Sequence, residues 1–75
     1  MSTNLKLEMS KRSRVLCGLL NVLRDDVDQV RLSTNIFDSM CIEETLKDTR
    51  TTLQMIDDNL TELEYYLYLA KNNNS

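Results

Sequence analysis

The side chains that could do chemistry are few and poorly placed for it. There is no histidine, hence no imidazole acid or base, no histidine-based triad and no histidine metal ligand. Cys17 and Cys41 are far apart in no CxxC pattern, whereas a structural zinc needs four clustered ligands. They read as two free thiols of a reducing cytosol. Asp25-Asp26, Glu43-Glu44 and Asp57-Asp58 are adjacent carboxylates. Neighbours on a helix point in different directions, so each pair reads as a solvated face rather than an acid–base couple. The run "DDVD" at 25–28 lacks the spacing and glycine of a calcium loop, and no glycine-rich turn is available to cradle a phosphate. The expectation is a protein with no catalytic site, no metal and no cofactor.

Charge offers two further chemistries. Residues 1–24 hold five bases (Lys6, Lys11, Arg12, Arg14, Arg24) against Glu8, while residues 25–64 hold eleven acids against Arg31, Lys47 and Arg50. The basic cluster "SKRSR" at 10–14 could grip nucleic acid from a homodimeric four-helix bundle, but no aromatic residue is interleaved with it and the pI is near 4.7. The acidic middle could imitate a phosphate backbone, as small phage inhibitors do. Both charge blocks are also what two helices folded against each other would carry.

The elements that must position these residues are helical. Seventy-five residues allow one domain, and 41% hydrophobic with 28% charged residues suits a folded helical chain. Proline is absent and glycine occurs once. Met9, Leu16, Leu20, Leu23, Val27 and Val30 recur at steps of three and four, with Ser13 at the one gap. A second, longer stripe runs through Ile42, Leu46, Thr49, Leu53, Ile56, Leu60, Leu63, Leu67 and Ala70. The frame breaks between them in "RLSTNIFDSMCIEE", which is rich in capping and turn residues. This predicts an all-α, coiled-coil-like antiparallel two-helix hairpin. Its helices span about 5–32 and 39–71, with a turn at about 33–38 and a polar tail at 72–75. A short third helix around 36–43, or one continuous helix with a stutter, would be alternative ways through the break. Facing positions then add to about 72, so Leu16 meets Ile56, and the bases at 11–14 lie along Asp57, Asp58, Glu62 and Glu64. No stretch reaches the ~18–20 apolar residues of a membrane span, and the charges of the first fourteen residues follow their apolar residues, the reverse of a signal peptide. The expected location is cytoplasmic.

The apolar residues exceed what one seam uses. "LEYYLYLA" at 63–70 is greasy almost all round, and Val15, Leu19 and Val22 form a line beside Leu16, Leu20 and Leu23. Val15, Leu19, Val22, Tyr65, Tyr66, Tyr68 and Leu69 are therefore the candidate partner-binding residues. The partner would be another helical protein or, as a homodimer, the chain itself. Gly18 would mark a close helix approach, since glycine is costly within a helix.

The run Gly18, Leu19, Leu20, Leu23, Arg24, followed by "YYLY" at 65–68, resembles the small cytoplasmic co-chaperones of type III secretion needle subunits. The resemblance covers most of the chain, although "STNIFDS" stands where such proteins carry a turn with Gly, Pro or Gln. It implies a helical hairpin that pairs with a larger helical-repeat chaperone to keep a needle subunit soluble, docking through Val15, Leu19, Val22, Tyr65, Tyr68 and Leu69.

Overall fold

The computed structural model describes residues 3–73. Two α-helices, α1 (Thr3–Ile36) and α2 (Ser39–Asn73), lie antiparallel against each other. The rod they form measures 56 × 15 × 12 Å. The predicted hairpin is thus present, and no third helix interrupts the turn. α1 runs four residues past the expected end, and α2 takes up Asn72 and Asn73 of the expected tail; Asn74 and Ser75 lie outside the described residues.

The turn is shorter than its sequence suggests because two capping motifs abut. Phe37 adopts a left-handed conformation (φ 54°). Its N–H donates to the Thr34 carbonyl (3.1 Å) and the Asp38 N–H donates to the Ser33 carbonyl (3.4 Å), the two bonds of a Schellman C-cap. Asp38 then caps α2: its Oδ1 accepts from the N–H groups of Met40 (3.1 Å) and Cys41 (3.2 Å). Orphan backbone groups at both helix ends are satisfied with only Phe37 and Asp38 between the helices.

The hairpin centre moves with the turn. Asp26 meets Thr52 and Arg12 meets Glu62, so facing positions add to between 74 and 78, not about 72. Leu16 is therefore displaced by about one helical turn from its expected partner Ile56.

The seam itself differs from the stripes read in the sequence. On α2 the inward residues are Ile42, Thr45, Thr49, Thr52, Ile56, Asn59, Leu63, Tyr66 and Ala70. Every seventh position agrees with the expectation, but Leu46, Leu53, Leu60 and Leu67 are displaced by the residues just before them and remain half exposed. On α1, Leu19 and Asp26 face inward in place of Leu20 and Val27. The polar side chains can turn inward cheaply because they are satisfied locally. Thr45 donates to the Ile42 carbonyl (3.1 Å), Thr49 to that of Thr45 (2.8 Å) and Ser33 to that of Gln29 (2.7 Å). Thr52 donates across the seam to Asp26 Oδ2 (2.6 Å), a charge-assisted bond. The two apolar lines of α2 run through Ile42 and through Leu46 at every seventh position, and α1 covers the first together with the threonine line on its other side, leaving the leucines uncovered.

The result is a thin core. Among the described residues, only Leu5 (9% exposed) and Ala70 (7%) are buried apolar side chains, beside the buried hydroxyls of Ser33 and Thr52. Asn59 donates to the Met55 carbonyl (3.0 Å), yet its Oδ1 is buried without a partner. A chain this small has little margin for such a group.

Candidate interaction surface

An inward position on a helix is flanked on each side by a line one residue away. When two helices run antiparallel, corresponding flanks fall on the same side of the pair. The residues that follow Leu19 and Asp26 on α1, and Thr45, Thr52, Asn59 and Tyr66 on α2, are Leu20 and Val27, and Leu46, Leu53, Leu60 and Leu67. Each is about half exposed. Their seven-residue spacing keeps them on one side of the rod over most of its length, bordered near the ends by Lys6, Ser13 and Thr34.

The opposite flank is more mixed. Gln29 and Asp48 share a surface depression there with Asp26 and Thr45, which confirms that like flanks meet. The same side carries Val15, Val22, Met55 and Leu69, broken by Glu8, Asp48 and Glu62. Arg12 reaches Glu62 on this side (2.8 Å), an ion pair that ties the two helices. A rim-exposed pair of this kind contributes little, about 0–1 kcal/mol.

The seven residues singled out from the sequence therefore divide three ways. Val15, Val22 and Leu69 share this second flank. Tyr65 and Tyr68 lie on the outer surface of α2, with Tyr68 63% exposed. Leu19 and Tyr66 turn toward the seam and are half buried. The Tyr65 and Tyr66 rings remain neighbours, with centroids 5.9 Å apart. The larger continuous surface runs through Leu46, Leu53, Leu60 and Leu67, which apolar periodicity alone assigns to the core. The signal for it was present: α2 has more apolar lines than one partner helix can cover.

Gly18 has nothing within 4 Å of where a Cβ would stand, so no close helix approach in the hairpin accounts for it. The basic cluster is partly neutralised by its own chain. Lys11 pairs with Glu8 (3.6 Å) and Arg12 with Glu62, while Asp58 accepts from Gln54 (3.0 Å) instead of meeting a base. Cys17 and Cys41 are both free and exposed. The neighbouring Asp38 carboxylate raises the pKa of the Cys41 thiol, with Glu44 adding in the same direction.

No group of three or more His, Cys, Asp or Glu among the described residues could hold a metal ion, and none of the described helices is long and apolar enough to cross a membrane. The tip of the rod is apolar as well, with Ile36, Phe37 and Met40 at 70%, 85% and 80% exposure. No protein family, no curated protein and no solved structure matches this chain.

Proposed function

We propose that this chain is a non-enzymatic interaction module, a helical hairpin that completes its core by laying its aliphatic flank on another helical surface. One observation carries the reading: Leu20, Val27, Leu46, Leu53, Leu60 and Leu67 lie half exposed on one side, while threonines, an asparagine and an aspartate occupy the seam. Six half-exposed aliphatic side chains leave on the order of 500 Å² of apolar surface, toward the upper end of what a lone soluble protein shows. Seven-residue spacing is the spacing a second helix layer requires.

The narrower form of this reading is a cytoplasmic co-chaperone that covers the polymerising surface of a type III secretion needle subunit. The run from Gly18 to Arg24, "YYLY" at 65–68 and the two-helix architecture support it. Val15, Val22, Tyr65, Tyr68 and Leu69 would then be available to a second, foreign helix.

The test is a double variant, Leu46→Glu with Leu60→Glu, followed by sedimentation equilibrium and circular dichroism. Assembly, with itself or with an added helical partner, is expected to disappear while most of the helicity stays. A wild-type chain that is monomeric, melts cooperatively well above ambient temperature and binds no hydrophobic dye would show that the face needs no cover, and would end the proposal.

A further inference from the structure

The aliphatic flank is bordered on its outer edge, along α2, by a charged line, and those charges select an occupant. Along α2 the line reads Glu43, Arg50, Asp57, Glu64 and Lys71, and it is very nearly its own complement when reversed. We infer that the face is covered by a second copy of this chain, with α2 lying antiparallel on the second copy's α2 about a two-fold axis near Asp57. This rests on the reading that the aliphatic flank is an interface, and it names the partner.

The register follows from spacing. Setting Leu53 beside the second copy's Leu60 also sets Leu46 beside its Leu67. The same placement brings Arg50 to Glu64 and Glu43 to Lys71, each twice by symmetry. Only Asp57 meets its own kind, at the axis. The competing two-fold arrangement lays α2 on the second copy's α1 and is poorer. It keeps Leu53 on Leu20 and Leu46 on Val27, but it opposes Arg24 to Arg50, leaves Leu60 facing Ser13 and brings Leu67 to Lys6, so half of the α2 leucines meet polar residues. Charge complementarity along a rim chiefly selects orientation and excludes the wrong register. The apolar face and its charged rims from two copies would together bury on the order of 1,200–1,600 Å², the range of a stable specific interface. A four-helix bundle is the usual resolution for a hairpin with one side uncovered.

The thiols make the geometry readable. In the favoured arrangement α1 also crosses the second copy's α1 near Leu20, which places Cys17 close to the axis and to its symmetry mate. Cys41 lies on the opposite flank and stays remote from its mate. In the competing arrangement, Cys17 sits across from Asp57 and diagonal to the other Cys17.

The experiment uses the full chain in two single-thiol forms, Cys41→Ser and Cys17→Ser, each treated with a short bis-maleimide, with sedimentation equilibrium in parallel. The expected result is a dimer that cross-links through Cys17 and not through Cys41. Arg50→Glu alone should weaken the dimer by on the order of tenfold, and adding Glu64→Arg should recover most of that loss. A dimer that cross-links through Cys41, or that the charge swap does not rescue, overturns this face and register. A chain that stays monomeric at high micromolar concentration, melts at low temperature and binds hydrophobic dye overturns the second copy, while leaving the interaction module intact. A stable monomer that binds no dye overturns both.

Discussion

Replacing Phe37 with glycine should stabilise the protein, although it removes the largest side chain at the tip of the rod. Phe37 stands at the left-handed position of a Schellman cap with φ 54°. A residue with a Cβ incurs roughly 1–2 kcal/mol there, which glycine does not. The ring is 85% exposed, so almost no packing is lost on its removal. Against the gain stands the greater freedom of glycine in the unfolded chain, about 0.4–1 kcal/mol. The balance is a stabilisation of about 0.5–1 kcal/mol. For a domain of this size that corresponds to a rise in Tm of roughly 3–6 °C. The assay is thermal circular dichroism at one fixed protein concentration, because Tm depends on concentration wherever copies associate. Phe37→Ala is the control. It keeps the unfavourable φ and loses the same ring, so its Tm should stay within about 2 °C of the parent. A Phe37→Gly variant that melts lower than the parent would refute the reasoning, since the ring would then have to be packed against something.

Other substitutions bear on the seam and the outer faces. Asn59→Leu should raise stability by about 1–2 kcal/mol in urea titration, because it removes the unpartnered buried oxygen and adds apolar cover; a loss would mean that the oxygen is satisfied in the assembled protein. Gly18→Ala should contribute about 1 kcal/mol of helix propensity, since open space surrounds its Cβ position, and a variant that instead loses assembly would locate a partner's close approach there. The nearby Asp38 charge holds the Cys41 thiol above its ordinary pKa and so lowers its thiolate fraction at any pH below that pKa. In a Cys17→Ser background, Asp38→Asn should therefore speed iodoacetamide alkylation of Cys41 at mildly alkaline pH. An unchanged rate would remove Asp38 as the cause.

The two helices, their order and their antiparallel sense were legible because periodicity reports a helix whatever it packs against. Positions 42, 49, 56, 63 and 70 were correctly read as inward. The alternate positions were not, because hydrophobicity and inwardness part company in this hairpin. Leu46 is more apolar than Thr45, and Leu53 than Thr52, yet the threonines face α1. A threonine whose hydroxyl bonds to its own helix loses little by turning inward, and that bond is invisible in a pattern of apolar letters. The sequence also shows the apolar surplus, but it points to Val15, Leu19, Val22, Tyr65, Tyr66, Tyr68 and Leu69, of which the structure turns Leu19 and Tyr66 inward. The register slipped because the turn was centred near residue 36 rather than between Phe37 and Asp38. Nothing about a phenylalanine announces a left-handed backbone, whereas glycine or asparagine at that point would have done so.

The two-residue turn has a topological consequence. What separates the hairpin from a single rod is the conformation of Phe37 and the cap made by Asp38, and no proline or glycine at that junction forbids continuous helix. Were Phe37 to relax to helical dihedrals, α1 and α2 would join into one helix of roughly 105 Å, at 1.5 Å per residue. Two such rods laid antiparallel could regain every seam contact by exchanging their α2 arms, including Thr52 with Asp26 and Glu62 with Arg12. A residue that disfavours the bend, set in the shortest of loops, is what makes domain swapping inexpensive. The hairpin and the exchanged rod would then be two states of one seam, distinguishable by the maximum dimension in X-ray scattering, and Phe37→Gly would hold the protein in the compact one.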